Sequence, residues 1–97
     1  MESIYEEALA LELKKEGLNF DRQKVIVVFY DGKAVGEHRL DYLIERRIVL
    51  ELKACKAIDE VHLAVARSYL KAAGLPLALV VNFAKPVVEI RRVVLTV

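Results

Sequence analysis

Cysteine occurs once in this 97-residue chain, at Cys55. A single thiol excludes an internal disulfide framework and a cysteine-rich zinc cluster. It stands at no activating spacing from a histidine, so Cys55 reads as a small, partly buried side chain beside a strand end. No apolar run approaches the ~18–20 residues needed to cross a bilayer. The N-terminus is acidic and amphipathic, the wrong chemistry for a secretory signal, and an intracellular, cytoplasmic protein is expected. Neither sign of charge is in excess: the formal net charge is +1, too little for strong nonspecific affinity to nucleic acid. The local clusters Lys14-Lys15, Arg46-Arg47, Lys53 with Lys56, and Arg91-Arg92 read mainly as solvated surface. Low-complexity tracts, repeats and linkers are absent.

What the chain has is apolar patterning. Hydrophobic residues make up 56% of it and charged residues 30%, enough for one small domain over residues 1–97. Ser3 to about Glu16 reads as a helix, with Tyr5, Leu9 and Leu13 at helical spacing and Ile4, Ala8 and Leu11 widening the stripe. Gly17 is its stop. Glu2 continues the Tyr5–Leu9–Leu13 stripe, a carboxylate on an apolar face. Lys24–Tyr30 (KVIVVFY) is β-branched and aromatic and reads as a buried strand. Asp31-Gly32 marks a hairpin turn, and the returning strand runs from Lys33 to Ile44 with a bulge at Gly36. Near its end, alternation puts Leu40, Tyr42 and Ile44 on one face and Arg39, Asp41 and Leu43 on the other.

A third strand, Ile48–Ala54, carries Val49, Glu51 and Lys53 on one face, with Arg47 leading in. Asp59 is the N-cap of a second helix, Glu60–Ala73. Its inner face is expected to hold Val61, Val65, Ser68, Tyr69 and Ala72, with His62 and Ala66 at the margin. Gly74 and Pro76 end it. Leu77–Phe83 is a continuous apolar run, hence a central strand, placed parallel to the third by a right-handed crossover. Val88–Val97 reads as an edge strand, with Arg91 and Arg92 discouraging edge pairing. The class is mixed α/β: one sheet of four to five strands with a helix on each face.

The loop between the second and third strands decides the chemistry. A two-residue turn at Glu45-Arg46 would set Asp41 opposite Leu50 and send Glu51 to the other side of the sheet. A three-residue loop sets Asp41 opposite Glu51, with Cβ atoms about 4.5–5.5 Å apart. The three-residue register is the expectation. Two facing carboxylates repel unless a cation sits between them. Asp41, Glu51 and Lys53 are thus either the parts of a metal site beside a phosphodiester or an ion-pair network on an exposed sheet face.

The order αβββαβ, with Asp41 followed by Glu51-Leu52-Lys53, resembles the PD-(D/E)XK nuclease superfamily. More narrowly, the chain looks like the GxxExxY proteins. The matching words are Glu2–Leu9 with Glu12-Leu13, Arg39-Leu40-Asp41, Val49–Ala54, Val61-His62, Tyr69-Leu70, Asn82-Phe83 and Ile90–Val93. The resemblance implies Mg²⁺ or Mn²⁺ held by Asp41, Glu51 and the Leu52 carbonyl, with Lys53 orienting the attacking water or stabilising the pentacovalent state. Glu2 would complete the acidic cluster, with Glu6 the fallback one turn later. His62 and Tyr69 would lie near this face, as substrate contacts or as packing with satisfied polar tips. The substrate class it implies is nucleic acid, DNA first, and the reaction phosphodiester hydrolysis.

Two departures accompany it. Members of the group carry an upstream helical segment ending just before the position of Glu2, where this chain starts, as a short form or a trimmed one. They also carry a glutamine four residues before the tyrosine of the second helix, where this chain has Val65. The alternative reading is therefore a catalytically degenerate binding or assembly module on the same scaffold. Apolar surface on a domain this small makes a homodimer a further expectation under either reading.

Overall fold

A computed structural model describes residues 2–95. The elements run α1 (Glu2–Lys15), β1 (Phe20–Tyr30), β2 (Lys33–Ile44), β3 (Ile48–Lys53), α2 (Glu60–Ala73), β4 (Leu77–Asn82) and β5 (Glu89–Val94). One mixed sheet has the strand order β1-β2-β3-β4-β5, with every neighbouring pair antiparallel except β3 and β4. The helices cover opposite faces. Leu63, Ala66 and Leu70 of α2 pack with Leu40, Val49, Ala78 and Val80. Ala10 and Leu13 of α1 pack with Tyr42, Leu50, Leu52 and Val81. This is the expected α/β architecture with a helix on each face. No helix of the described residues is long and apolar enough to cross a membrane.

Local chemistry sets the element ends. Gly17 takes φ 72°, and its N–H and that of Leu18 return to the Lys14 and Leu13 carbonyls, closing α1. Asp31 and Gly32 both take positive φ, as the tight hairpin turn requires. The ladder slips between Val28 and Phe29, leaving Val35 as the extra residue next to Gly36, where a bulge was expected. Asp59 caps α2 by accepting from the Val61 and His62 N–H groups, while His62 Nδ1 accepts from the Asp59 N–H at 3.0 Å. Gly74 ends that helix at φ 69°.

Three sequence expectations are corrected here. The inner face of α2 is Leu63, Ala66 and Leu70, nearly opposite the face expected from Val61, Val65 and Ser68, which are all exposed. Two leucines remove more apolar area from water than the shorter valines, and they set the rotation of the helix. On α1, Ile4, Ala8 and Leu11 point outward, and Ala10 is buried in their place. Lys24–Tyr30 is not a buried strand: β1 is an edge, and Val25, Val27, Phe29 and Tyr30 are exposed. β5 is the opposite edge, as expected, and its predicted last residues, Thr96 and Val97, lie outside the described residues.

A fourth correction positions the site. Alternation predicts Leu40 and Tyr42 on the same face, but Leu40 packs under α2 and Tyr42 under α1. The neighbouring strand changes face at the same level. Arg22 reaches the acids of α1, whereas Ile26, of the same parity, packs on the α2 side. The β1–β2 ladder pairs Arg22 with Tyr42 and Lys24 with Leu40 and skips the pair between them, Gln23 and Asp41. Gln23 sits there at φ 53°, in the left-handed region. Both strands therefore turn over at the level of Asp41.

Candidate active site

The loop from β2 to β3 has the three residues expected, Glu45–Arg47, with the Arg47 N–H on the Ile44 carbonyl at 3.0 Å. Glu45 and Arg46 take positive φ, which makes the reversal tight. The register Ile44↔Ile48, Leu43↔Val49, Tyr42↔Leu50 then points to Asp41 opposite Glu51. The ladder stops one pair short of them. In its place the two side chains bridge the strands: the Asp41 N–H donates to Glu51 Oε2 at 2.9 Å, and the Leu52 N–H donates to Asp41 Oδ2 at 2.8 Å. Each carboxylate does the work of a missing backbone acceptor on the opposite strand.

This arrangement holds both acids with one oxygen each. Asp41 Oδ1 and Glu51 Oε1 accept no hydrogen bond among the described residues. No fully buried side-chain oxygen there lacks a partner, so these two are open to solvent or a ligand. The Lys53 carbonyl accepts from the N–H of Phe83, the residue just after β4, at 3.0 Å. Carbonyls of successive strand residues point to opposite neighbours, so the Leu52 carbonyl turns toward β2 and the acid pair. From α1, Glu2 and Glu6 line a cavity of about 140 Å³ with Ser3, Gln23, Asp41 and Leu52. Glu2 Oε2 also accepts from the Ala54 N–H at 3.3 Å, so the acid on the apolar stripe does face the sheet.

Electrostatics follow from burial. Glu51 is 6% exposed, and desolvation, then the Asp41 charge, push its carboxyl up to about 8. Burial also raises Asp41, against the Leu52 N–H and Lys53, which lower it. Lys53 acts on both acids, yet it is absent from the ion pairs among the described residues. An ion-pair network on an exposed face is thereby overturned: Glu51 is buried, Asp41 and Lys53 are half-buried, and the amine is not locked to either acid. The expectation that only a cation makes the acid pair tolerable is also too narrow. A proton retained on Glu51 relieves the same repulsion.

The remaining expected residues divide. Tyr69 is near the site: burial and then the Glu51 and Asp41 charges raise its phenol. Its ring lies 4.7 Å from that of His38, whose Nε2 is 3.1 Å from Ser68 Oγ. His62 is committed to capping α2. The sequence reading noted Asn82 among the matching words but gave it no role; it is fully buried beside Lys53 in the parallel ladder. Its amide donates to the Cys55 carbonyl at 2.8 Å and accepts from the Cys55 and Ala84 N–H groups, each at 3.1 Å. It fixes the chain as it leaves Lys53. A polar residue closing a fully apolar strand was the available signal. Gln23 gave no signal, because glutamine carries no preference for positive φ.

As to a metal, the donor set has the right chemistry: two carboxylates with free oxygens, a carbonyl between them, and further acids on α1. Among the described residues no three His, Cys, Asp or Glu side chains converge as a cage by themselves. A hard dication would rest on the Asp41–Glu51 pair and the Leu52 carbonyl, completed by water.

Sheet order, helix placement and site together define a restriction-endonuclease-like α/β domain. Residues 1–93 match the family model described as the PD-(D/E)XK nuclease superfamily, and the chain belongs to that superfamily. The crystal structure of SSO0001 superposes with a TM-score of 0.75 at 18% identity, over 98% of this chain and 50% of that one. That likeness shows the fold, and this chain spans about half the length of its structural neighbour. No curated protein matches the chain.

Two outcomes follow from the geometry. Glu51 is raised in the fold, so the native state binds more protons than the unfolded chain between its ordinary carboxyl range and about pH 8. The Glu51 contribution to metal-free stability is therefore fully present below about pH 4.5 and is lost as pH rises through about 8, and Glu51→Gln flattens that decline; urea midpoints across pH 5–9 measure it. Asn82→Ala strands three backbone groups and costs about 2–3 kcal/mol by urea unfolding.

Proposed function

We propose that this domain hydrolyses phosphodiester bonds in nucleic acid, DNA before RNA, with a divalent cation, Mg²⁺ or Mn²⁺. The observation that carries the reading is the pair of strand-bridging carboxylates, each with one oxygen free, at the parting of β2 and β3. A bridge that served only to join strands would use backbone groups and leave no buried charge. Asp41, Glu51 and the Leu52 carbonyl would hold the cation, which supplies Lewis acidity toward the phosphoryl oxygens. Asp41 and Glu51 need no reorganisation to do so, because backbone N–H groups already fix both. Lys53 leaves β3 two residues after Glu51, on the same strand face, and takes no part in the ion pairs among the described residues. Its ammonium orients the attacking water and neutralises charge growing on the phosphate. Glu2 adds negative charge from α1, where its field acts on both acids.

A second reading has one observation in its favour. Val65 stands one turn before Tyr69, where the family pattern has glutamine, and it is exposed. On that reading the scaffold binds or assembles and does not cleave.

The test combines stability with turnover. Mn²⁺ or Mg²⁺ at a hundred times its dissociation constant raises stability by about 2.7 kcal/mol. Lys53→Ala keeps that gain and loses cleavage of single-stranded, duplex or branched DNA by at least about a hundredfold. Metal binding without cleavage of any DNA or RNA, with cleavage appearing in Val65→Gln, supports the second reading. Absence of both metal response and cleavage defeats the first.

A further inference from the structure

The cavity beside Asp41 has one lining side chain with a neutral amide, Gln23. It lies inside β1, away from either turn, and still takes φ 53°. L side chains adopt that backbone reluctantly, and glutamine has no local bond that favours it. An unforced outlier in mid-strand points to something held in place by the surroundings. What the turn-over achieves is visible on α1. Gln23 Nε2 donates to Glu6 Oε1 at 2.6 Å. The other Glu6 oxygen lies 3.2 Å from Arg22, and the Glu6 backbone carbonyl accepts the Tyr42 hydroxyl. Glu6 is thus tied at three points, and it lines the cavity that Asp41 lines.

We propose that Gln23 is a positioning residue of the site: its amide fixes the Glu6 carboxylate over the Asp41 cavity, so that the Glu6 charge faces an incoming dication from beside the Asp41–Glu51 pair. The inference rests on the metal-dependent reading above. An amide suits this task because it orients a carboxylate without cancelling its charge, as a second guanidinium would. Arg22 alone is shared with Glu7, at 2.6 Å, and cannot fix the Glu6 rotamer. Glu6, the fallback on sequence grounds, then acts with Glu2 as charge lining the cavity and not as a further ligand.

Gln23→Gly separates positioning from stapling, since glycine relaxes at positive φ while losing the amide. The metal-free melting temperature stays at or above that of the unaltered chain, and the Mn²⁺ concentration for half-maximal thermal stabilisation rises about tenfold. Gln23→Asn gives the same result, because asparagine accepts this backbone and its shorter amide cannot span to Glu6. Gln23→Gly combined with Glu6→Ala is no weaker for Mn²⁺ than Glu6→Ala alone, as expected if one acts through the other. Unchanged Mn²⁺ response in both Gln23 variants, or full additivity with Glu6→Ala, overturns the inference while the metal site stands. An unaltered chain with no Mn²⁺ response removes the metal site and this inference with it.

Discussion

Where β2 and β3 part, two carboxylates replace backbone acceptors, and the rest of the site depends on that exchange. The Asp41 N–H and the Leu52 N–H would be orphaned by the break in the ladder. Each finds an acidic side chain from the opposite strand. The exchange fixes the two acids as firmly as a ladder bond fixes a backbone, and it fixes them close together. Closeness and burial then do the electrostatic work. Desolvation and mutual repulsion push Glu51 up to about 8, and on the proposed metal-dependent reading a dication would displace the proton held there. That reading would couple fold stability and cation affinity through one group.

Support comes from both sides of the pair. On β4, the fully buried amide of Asn82 ties down the chain just beyond Lys53, and Glu89 extends the network to the Ile58 N–H. The lysine therefore departs from a fixed point although its amine is free. On β1, Arg22 and Gln23 draw the acids of α1 toward the sheet, and Tyr5 stacks on Phe83 at 4.8 Å to hold the same helix at its other flank. α1 buries little of itself, with Ala10 and Leu13 its buried residues. Polar clamps, more than apolar packing, set its position, and this brings Glu2 and Glu6 over the acid pair.

The sequence carried the parts of this that depend on local chemistry. Asp31-Gly32, Asp59 and Gly74 have conformational preferences of their own, and the ends of the hairpin and of α2 fall where those preferences put them. The β2–β3 register was expected from the loop length that sets Asp41 opposite Glu51, and burial could not have chosen it, since β3 is covered on both faces. What was not legible is tertiary. Strict alternation misplaced Leu40 because it cannot register a turn-over that Gln23 makes with no glycine or proline to mark it. The α2 face was misread because Val61, Val65 and Ala72 also make an apolar stripe, and only the shape of the sheet favours Leu63 and Leu70. Asp41 and Glu51 were found as residues, but their hydrogen bonds to the opposite backbone, and hence Glu51's retained proton, could not be seen in one dimension.

The departures from ordinary strand behaviour fall together. A left-handed glutamine in mid-strand, a ladder pair missing on each side of Asp41, a reversal of face in two strands and a buried carboxylate all lie at one level of the sheet. Elsewhere the same sheet follows its rules: β3 and β4 pair without interruption, and the one further slip is a bulge near the hairpin end. A fold that merely tolerated poor residues would scatter such features, because each costs stability wherever it occurs. Concentration at one place, around two acids with open oxygens, is what the proposed cation site would account for, since binding there would offset the loss. Strain, broken pairing and a buried acid meet beside Asp41 independently of any family likeness, and together they support the proposed centre there.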